Sequence, residues 1–173
     1  LWDIRGQALG VPIFALLGGP VRDRVRLYPH VKAATPEDMV AACVRLKSMG
    51  FTAIGHLNPF LDEDSHKPYF KPTAARLRDG VQLVRAVREA VGDEVDLCIE
   101  IHRRLTPAEA IAFAHEIAPF RPMFYEDPIP PESMDAMAVV ASRIPIPIAT
   151  GERLVSLWEF QARRSMIRYR DAN

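Results

Sequence analysis

Short apolar runs alternate along the chain with stretches of helical periodicity, and turn residues separate the two. The apolar runs, rich in β-branched and aromatic residues, predict five strands, at 25–30, 51–58, 95–102, 122–127 and 146–152. The stretches between them predict helices, at 1–17 with a break at 10–12, and at 36–49, 73–90, 107–118, 132–143 and from about 156 onward. Strands and helices in regular alternation indicate βα units with a parallel sheet.

The spacing of these βα units is typical of a (β/α)-barrel, which needs eight of them to close. We therefore predict an α/β fold, a partial (β/α) TIM-type barrel made of roughly the first five βα units. Residues 1–173 are expected to form one part of a barrel domain, and the tail from 161 onward, which loses the apolar rhythm, is expected at most to begin a sixth strand. The longest irregular segment, 59–72, has two open interpretations: a lid over a binding site, or a plain surface insertion.

Composition narrows the class of partner. Acidic and basic residues balance at 22 each among 173 residues, so no overall field favours nucleic acid or an anionic membrane surface. No apolar run reaches the length of a membrane span. The two cysteines, Cys43 and Cys98, are far apart and fit no disulfide or zinc pattern, so a reducing cytoplasm is the simpler expectation.

Three successive predicted strands each end in a glutamate. Glu126 follows Glu100 by 26 residues, and Glu152 follows Glu126 by 26 again. Barrel enzymes place their chemistry at the carboxyl ends of strands, and one βα unit per step would bring the three carboxylates together there. Three such carboxylates would repel one another unless a cation joined them. A hard divalent ion with oxygen ligands is the natural partner, Mg²⁺ ahead of Mn²⁺.

Each of these residues also has a simpler interpretation. A single glutamate is best explained as a rim residue paired with a nearby arginine, whereas three at equal spacing and matching strand phase favour the metal. His102 follows Glu100 by two residues and is a candidate general acid or base near neutral pH. Its alternatives are a hydrogen-bonded structural histidine or a fourth metal ligand.

Further polar side chains are expected around the same mouth of the barrel. His56 and Asn58 share a face at the end of the second predicted strand, as do Tyr28 and His30 in the first. We consider His56, Asn58 and His30 to be candidate substrate contacts. A purely structural role is an equal alternative for each of them.

Several segments together resemble the enolase superfamily, in particular its mandelate racemase/muconate lactonizing enzyme branch and the galactonate dehydratase-like acid-sugar dehydratases. The stretch from Leu1 to Pro12 looks like the helix that leads into the family's barrel. Tyr125-Glu126-Asp127-Pro128 and Pro147-Ile148-Ala149-Thr150-Gly151-Glu152-Arg153 look like the segments that hold the second and third metal ligands. Ile99-Glu100-Ile101-His102-Arg103 matches the place where galactonate dehydratase-like members carry an acid, one residue and a histidine. The resemblance extends to about residue 160.

The resemblance implies a cofactor and a reaction. In this family Mg²⁺ holds a carboxylate of the substrate and stabilises the enediolate formed when a base removes the proton α to that carboxylate. In the dehydratases a histidine placed like His102 then protonates the departing β-hydroxyl, and the product is a 2-keto-3-deoxy sugar acid. We therefore expect a Mg²⁺-dependent dehydratase (a hydro-lyase) of a small-molecule sugar acid, an aldonate such as galactonate, gluconate or mannonate. The resemblance also implies a homo-oligomer in the full-length enzyme.

Departures from the family pattern leave other functions open. The first ligand, often Asp, is Glu100 here, and the Lys-x-Lys pair of racemases and cycloisomerases is replaced by His56-Leu57-Asn58, which argues against racemisation of mandelate-type substrates and against lactonization. The family's N-terminal capping domain, its last barrel strands and its α-proton base are expected to lie outside this chain. The alternatives are an epimerase or racemase of the same superfamily, or a catalytically incomplete fragment with only a structural role.

Overall fold

The computed structural model describes residues 1–60 and 71–166 of the chain. The helices in this part are α1 (Trp2–Leu9), α2 (Ile13–Leu16), α3 (Pro36–Ser48), α4 (Thr73–Val91), α5 (Pro107–Ile117), α6 (Met134–Arg143) and α7 (Leu157–Met166). The strands are β1 (Ala53–Leu57), β2 (Asp96–Glu100), β3 (Phe124–Glu126) and β4 (Ile148–Ala149). The predicted loop at 59–72 falls mainly on 61–70, which lie outside the described residues, as do 167–173.

The four strands form one parallel sheet in the order β1-β2-β3-β4, so each strand pairs with the next one in the chain. The connections run through α4, α5 and α6 in turn, which is the repeating unit of a (β/α)-barrel. Leu97, Cys98 and Ile99 of β2 are all fully buried, because helices cover one face of the sheet and the barrel interior the other. The predicted α/β architecture, a partial barrel with a parallel sheet, is confirmed.

Local capping signals position the helices that carry the chain back from one strand to the next. Thr35 begins α3, where its hydroxyl oxygen accepts a hydrogen bond from the Asp38 N–H at 3.1 Å. At α5, Thr106 and Glu109 form a capping box: each side chain accepts a hydrogen bond from the backbone N–H of the other, at 3.3 and 2.9 Å. The box begins α5 only six residues after β2 ends, so it restricts the intervening segment that contains His102.

A buried arginine ties together the segments that lead into β2 and β3. Arg88 of α4 is 8% exposed and donates hydrogen bonds to four backbone oxygens, those of Gly92, Val95, Phe120 and Arg121, at 2.6 to 3.2 Å. Each of these carbonyls precedes a strand, so the guanidinium satisfies polar groups that would otherwise be buried without a partner. The candidate site lies at the opposite end of the sheet, where the strands have their carboxyl ends.

The first predicted strand, 25–30, does not form, and this part of the prediction is wrong. Its single strand-like contact in the structure is a parallel bridge between His30 and Gly55, in which the Gly55 N–H donates to the Pro29 oxygen at 3.0 Å and the Val31 N–H donates to the Gly55 oxygen at 3.1 Å. Pro29 has no N–H to extend the ladder, and this edge segment is largely exposed. Its apolar residues therefore do not gain the burial that a full strand would need.

The expected start of a sixth strand in the tail is not seen as far as residue 166, and 167–173 lie outside the described residues. A sixth strand was expected at most from residue 161 onward, but α7 continues as a helix to Met166. The strands are also shorter than predicted at their carboxyl ends, because β2 stops at Glu100 and β4 at Ala149. In the described part of the chain, no helix is both long and apolar enough to cross a membrane.

Candidate metal centre and active site

Two of the three predicted metal ligands lie side by side at the carboxyl end of the sheet. Glu100 and Glu126 are register partners on β2 and β3, and their carboxyl groups lie close enough for the charge of Glu126 to act on Glu100. Glu100 is 4% exposed and Glu126 is half-buried. Burial, and next the negative charge of Glu126, raise the pKa of Glu100 to about 8. The two paired carboxyl groups therefore retain one proton near neutral pH.

The backbone beyond β2 folds around Glu100. The His102 N–H donates to Glu100 Oε1 at 2.5 Å, and the Ile101 N–H donates to the Glu126 backbone oxygen at 3.1 Å. The first bond holds the Oε1 oxygen of Glu100 in place. His102 adopts a left-handed backbone conformation, with φ of 55°, so the strand alternation stops at Glu100 and His102 lies in the following turn rather than on the strand face.

The Glu100–Glu126 pair has the chemistry of a site for a hard cation. Among the described residues, no lysine or arginine forms an ion pair with either carboxylate, although arginines pair with other acids nearby. Two carboxylates on directly paired residues of adjacent strands favour either a shared proton or a bound cation. Their oxygens are the ligands that Mg²⁺ prefers, so the residues present fit the predicted ion.

Glu152 is placed differently from the other two. It lies three residues beyond Ala149, the register partner of Glu126, in a turn that follows Gly151. Its side chain is 55% exposed and pairs with Arg103, whose hydrogen bond lowers the pKa of the Glu152 carboxyl. In the parts of the chain that the structure describes, no three His, Cys, Asp or Glu side chains are grouped so as to hold a metal ion. The role of Glu152 as the third ligand stays a prediction.

The structure brings the predicted histidines together beside the carboxylate pair. The rings of His30 and His56 stack with centroids 4.8 Å apart, and His56 meets His102 edge to face at 5.8 Å. The register of β1 shifts between Ile54 and Leu57, and His56 has a φ of 47°, so an irregularity in the strand directs this side chain. Burial, and next the neighbouring histidines, lower the pKa of His56.

Among the described contacts, none joins Asn58 to the three histidines. Its side-chain oxygen accepts a hydrogen bond from the Phe60 N–H at 3.0 Å, and the residue is 9% exposed. Such a local bond to the backbone two residues on stabilises a turn. The contact supports the structural alternative for Asn58, although its predicted contact with substrate is not tested.

Left-handed backbone conformations concentrate at this end of the sheet. Of the described non-glycine residues with positive φ, His56, His102, Arg103 and Asp127 lie after the ends of successive strands or within the irregularity of β1. Such conformations cost about 1–3 kcal/mol each and cluster at functional sites, where the surroundings impose them. Their position independently marks the same region as the carboxylates do.

Two residues of the site were not assigned a role from the sequence. Arg103 Nη1 contacts Asp127 Oδ2 at 3.2 Å, and Asp127 Oδ1 accepts a hydrogen bond from Thr150 Oγ1 at 2.6 Å. Asp127 is 5% exposed. Its place next to Glu126 was visible in the sequence, but strand alternation would have directed it away, and only its φ of 37° explains the observed position.

The Tyr28 ring packs beside the histidines and contacts Phe124 of β3. The ring stacks on His30 at 5.9 Å and meets Phe124 edge to face at 6.0 Å, and it lies directly over Gly55. Burial, and next the charge of Glu126, raise the pKa of the Tyr28 hydroxyl. This hydroxyl therefore lies close enough to the carboxylate pair to be affected by its charge. The predicted common face of Tyr28 and His30 is consistent with this stack.

Comparison with known proteins agrees with the resemblance to the enolase superfamily. A family model described as "Enolase C-terminal domain-like" matches residues 38–164. The D-galactonate dehydratase of Pectobacterium atrosepticum is 32% identical over 161 residues, which are 93% of this chain and 41% of that protein. The D-mannonate dehydratase of a Sphingomonas species is 32% identical over 178 aligned positions, covering 92% of this chain and 44% of that protein.

A solved structure shares the fold over nearly the whole chain. The mandelate racemase/muconate lactonizing enzyme-like protein from Rubrobacter xylanophilus superposes with a TM-score of 0.82 at 32% identity, over 95% of this chain and 47% of that one. The chain thus spans less than half the length of the relatives named here. With the family match across most of its residues, and with this fold, the chain belongs to the enolase C-terminal domain-like family, and it covers part of the enzymes that it resembles.

Proposed function

We propose that the protein containing this chain is a Mg²⁺-dependent dehydratase of a sugar acid. The observation that carries the proposal is the buried Glu100–Glu126 pair with His102 directly beside it. The chemistry of the pair fits a hard divalent cation, and a nearby imidazole fits proton transfer. The relatives named D-galactonate dehydratase and D-mannonate dehydratase support an aldonate substrate, such as galactonate, gluconate or mannonate.

The metal centre would be held by Glu100, Glu126 and Glu152. Members of the enolase superfamily generally use Mg²⁺, and Mn²⁺ has compatible ligand preferences. When bound, the ion supplies positive charge that offsets the negative charge developing on the substrate carboxylate after α-proton removal. Glu152 would have to leave Arg103 to join the other two carboxylates.

His102 is assigned as the general acid. The reaction removes a proton from the carbon α to the carboxylate, and the electron pair left behind forms a carbon–carbon double bond as the bond to the β-hydroxyl breaks. His102 gives its proton to the departing hydroxyl, which leaves as water, and the resulting enol converts to a 2-keto-3-deoxy acid. The base of the family is a histidine on a later strand, and we assign no residue of this chain to α-proton removal.

His56, His30 and Asn58 are proposed to contact the substrate. The stack of His30 on His56 presents ring edges next to His102, where a polyol chain extending from the reacting carbons would pass. Because its pKa is lowered, His56 is neutral at pH 7 and offers one hydrogen-bond donor and one acceptor to hydroxyl groups. Asn58 would act through its amide nitrogen, since its oxygen is bonded to the Phe60 N–H.

The partners and location follow from the same assignment. The substrate is a small molecule, and the full-length enzyme is proposed to be a homo-oligomer that does not depend on nucleic acid or membrane. Cys43 and Cys98 are both free and buried, which fits the proposed cytoplasmic location.

The test uses the full-length gene product, because this chain spans less than half the length of the relatives that it resembles. The purified protein is freed of metal, titrated with MgCl₂ by calorimetry, and assayed against a panel of aldonates and aldarates. We expect Mg²⁺ binding and formation of a 2-keto-3-deoxy acid from at least one substrate. An epimerised product without loss of water would support the alternative of an epimerase, and absence of Mg²⁺ binding would refute the metal assignment.

A further inference from the structure

Arg103 bridges two acids at the rim of the candidate metal centre. Its Nη1 contacts Asp127 Oδ2 at 3.2 Å, and the same nitrogen pairs with Glu152 Oε1. Glu152 is the predicted third ligand, whereas Asp127 has no predicted role toward the metal. Arg103 therefore holds a carboxylate that the proposed metal centre also needs.

Arg103 is more buried and held by more contacts than Glu152. The Arg103 side chain is 15% exposed, and its backbone N–H donates to the Asp127 backbone oxygen at 2.7 Å. Asp127 is itself held by Thr150 Oγ1 at 2.6 Å and by its own N–H, which donates to the Ala149 oxygen at 3.0 Å. Glu152 is 55% exposed and lies in a turn, and its contacts with the described residues are fewer.

We propose that Arg103 and a divalent cation compete for the Glu152 carboxylate, so that Arg103 weakens metal binding and keeps the centre readily exchangeable. The proposal rests on the proposed function, since it takes Glu152 as a ligand. In the described part of the chain Glu152 pairs with Arg103 and is not grouped with Glu100 and Glu126, so its carboxylate has to move away from the guanidinium to join the other two ligands. The positive charge of Arg103 also opposes the approach of a second cation to the same group.

A neighbouring arginine offers a matched control. Arg153 Nε lies 4.0 Å from the same atom, Glu152 Oε1, but its side chain is 63% exposed and makes no hydrogen bond to Glu152 among the described contacts. Ion pairs at such exposure contribute little because water screens them. Replacing Arg153 removes the same charge from the same carboxylate without removing a hydrogen bond.

The experiment measures Mg²⁺ affinity by calorimetry on the metal-free full-length protein and its variants Arg103→Gln, Arg103→Lys and Arg153→Gln. Competition predicts about tenfold tighter binding for Arg103→Gln, since one charge-assisted hydrogen bond no longer has to be broken. Arg153→Gln should stay within about 1.5-fold of the wild type, because such an exposed pair contributes little. Arg103→Lys keeps a cation for the buried Asp127, and its single ammonium bridges two carboxylates less well, so a gain of about threefold is expected.

The outcomes separate this proposal from the proposed function. If the wild type binds Mg²⁺ and both Arg103 variants bind it equally or more weakly, Arg103 does not compete, and the metal centre stands without this proposal. If the wild type binds no Mg²⁺ but Arg103→Gln does, competition for Glu152 is supported, while the assignment of Mg²⁺ to the wild-type enzyme falls. If neither binds, both proposals fall. Because Arg103→Lys preserves the pair with Asp127, it decides the question even if Arg103→Gln does not fold. Crystals grown with MgCl₂ give an independent readout, in which Glu152 is expected to be released from Arg103.

Discussion

Glu100 and Glu126 are directly paired residues on adjacent parallel strands, and the negative charge of Glu126 acts on the buried carboxyl group of Glu100 at the carboxyl end of the sheet. The pairing places one nearly buried and one half-buried acid in a single small space, without an ion pair to any described lysine or arginine. Two such groups cannot both be charged at low cost unless a cation lies between them. The predictions on metal binding and on pH dependence follow from this relationship.

Replacing Glu126 with Gln is expected to weaken Mg²⁺ binding by on the order of 100-fold, because the amide keeps the shape of the side chain and removes the charge of one ligand. Calorimetric titration of the full-length protein measures the change. Glu116→Gln, an exposed acid on α5, is the control and should leave the affinity unaltered. If the Glu126 variant binds as the wild type does, the metal assignment is wrong.

In metal-free protein, Glu100 should make stability depend on pH in a specific direction. Its pKa is about 8 in the folded state and near 4.5 in an unfolded chain, so the folded state holds this proton more tightly. The contribution is fully present below the unfolded pKa and is lost as the pH rises through the folded pKa. Glu100→Gln, which cannot lose a proton, should therefore become progressively more stable than the wild type between about pH 5 and pH 8.5.

The pH prediction is checked by urea unfolding of both proteins in EDTA across that range, where other titrating groups cancel in the difference. Saturating Mg²⁺ should raise the stability of the wild type at the upper end of the range, since the metal binds the ionised carboxylates. Parallel stability profiles for the two proteins would show that the proton on Glu100 is not bound as tightly as the geometry implies.

Loss of the imidazole in His102→Asn should lower kcat for dehydration by a factor of about 10² to 10⁴, the usual contribution of a positioned general acid. Mg²⁺ affinity should change little, because the contact between residue 102 and Glu100 is made by the backbone N–H, which asparagine retains. Steady-state kinetics and calorimetry on the same sample separate the two effects. A variant with full activity would exclude His102 as the acid.

Gly55→Ala should disturb the ring stack beside the site. A Cβ at this position would overlap the Tyr28 ring, which stacks on His30. Overpacking of this kind costs about 1–3 kcal/mol of unfolding free energy and should also raise KM for the sugar acid. The same substitution in a Tyr28→Ala background has room for the methyl group, so a double-mutant cycle should show most of the cost removed. An equal cost in both backgrounds would mean that Tyr28 is not the obstacle.

Arg88→Met should lower the unfolding free energy by about 3 kcal/mol or more, because four backbone oxygens lose a buried donor. Chemical denaturation of the full-length protein measures the loss. Arg85→Ala on the exposed side of α4 is the comparison, since it removes mainly a cation–π contact with Phe120 worth about 0.5–1 kcal/mol. Similar losses for the two variants would contradict the role given to Arg88.

The helices were predictable because their signals are local. The Thr35 cap and the capping box of Thr106 and Glu109 act within one turn of chain, and the helices that they begin lie where the sequence predicts helices, at 36–49 and 107–118. The strand at 25–30 failed because strand formation depends on a neighbour, and Gly55 supplies only one bridge to this segment. Propensity alone does not report whether such a neighbour exists.

The three glutamates also differ in how far their positions could be predicted from the sequence. Equal spacing placed Glu100 opposite Glu126 correctly, since one regular βα unit connects them. The same spacing did not place Glu152 opposite Glu126, because β4 pairs through Ala149 and the chain turns before residue 152. Residue count along the chain does not determine register when the connecting helix and loops differ in length.

The sequence by itself determined the βα order, the helix starts and the acids and histidines that belong to one end of the sheet, because these depend on local periodicity and on the direction of parallel strands. Only the tertiary structure decided which of those groups touch. It pairs Glu100 with Glu126, stacks His30 on His56, and places Arg103 between Asp127 and Glu152. The physical reason is that left-handed turns and shifts of register redirect side chains after the strands end, and these depend on contacts between segments far apart in the chain.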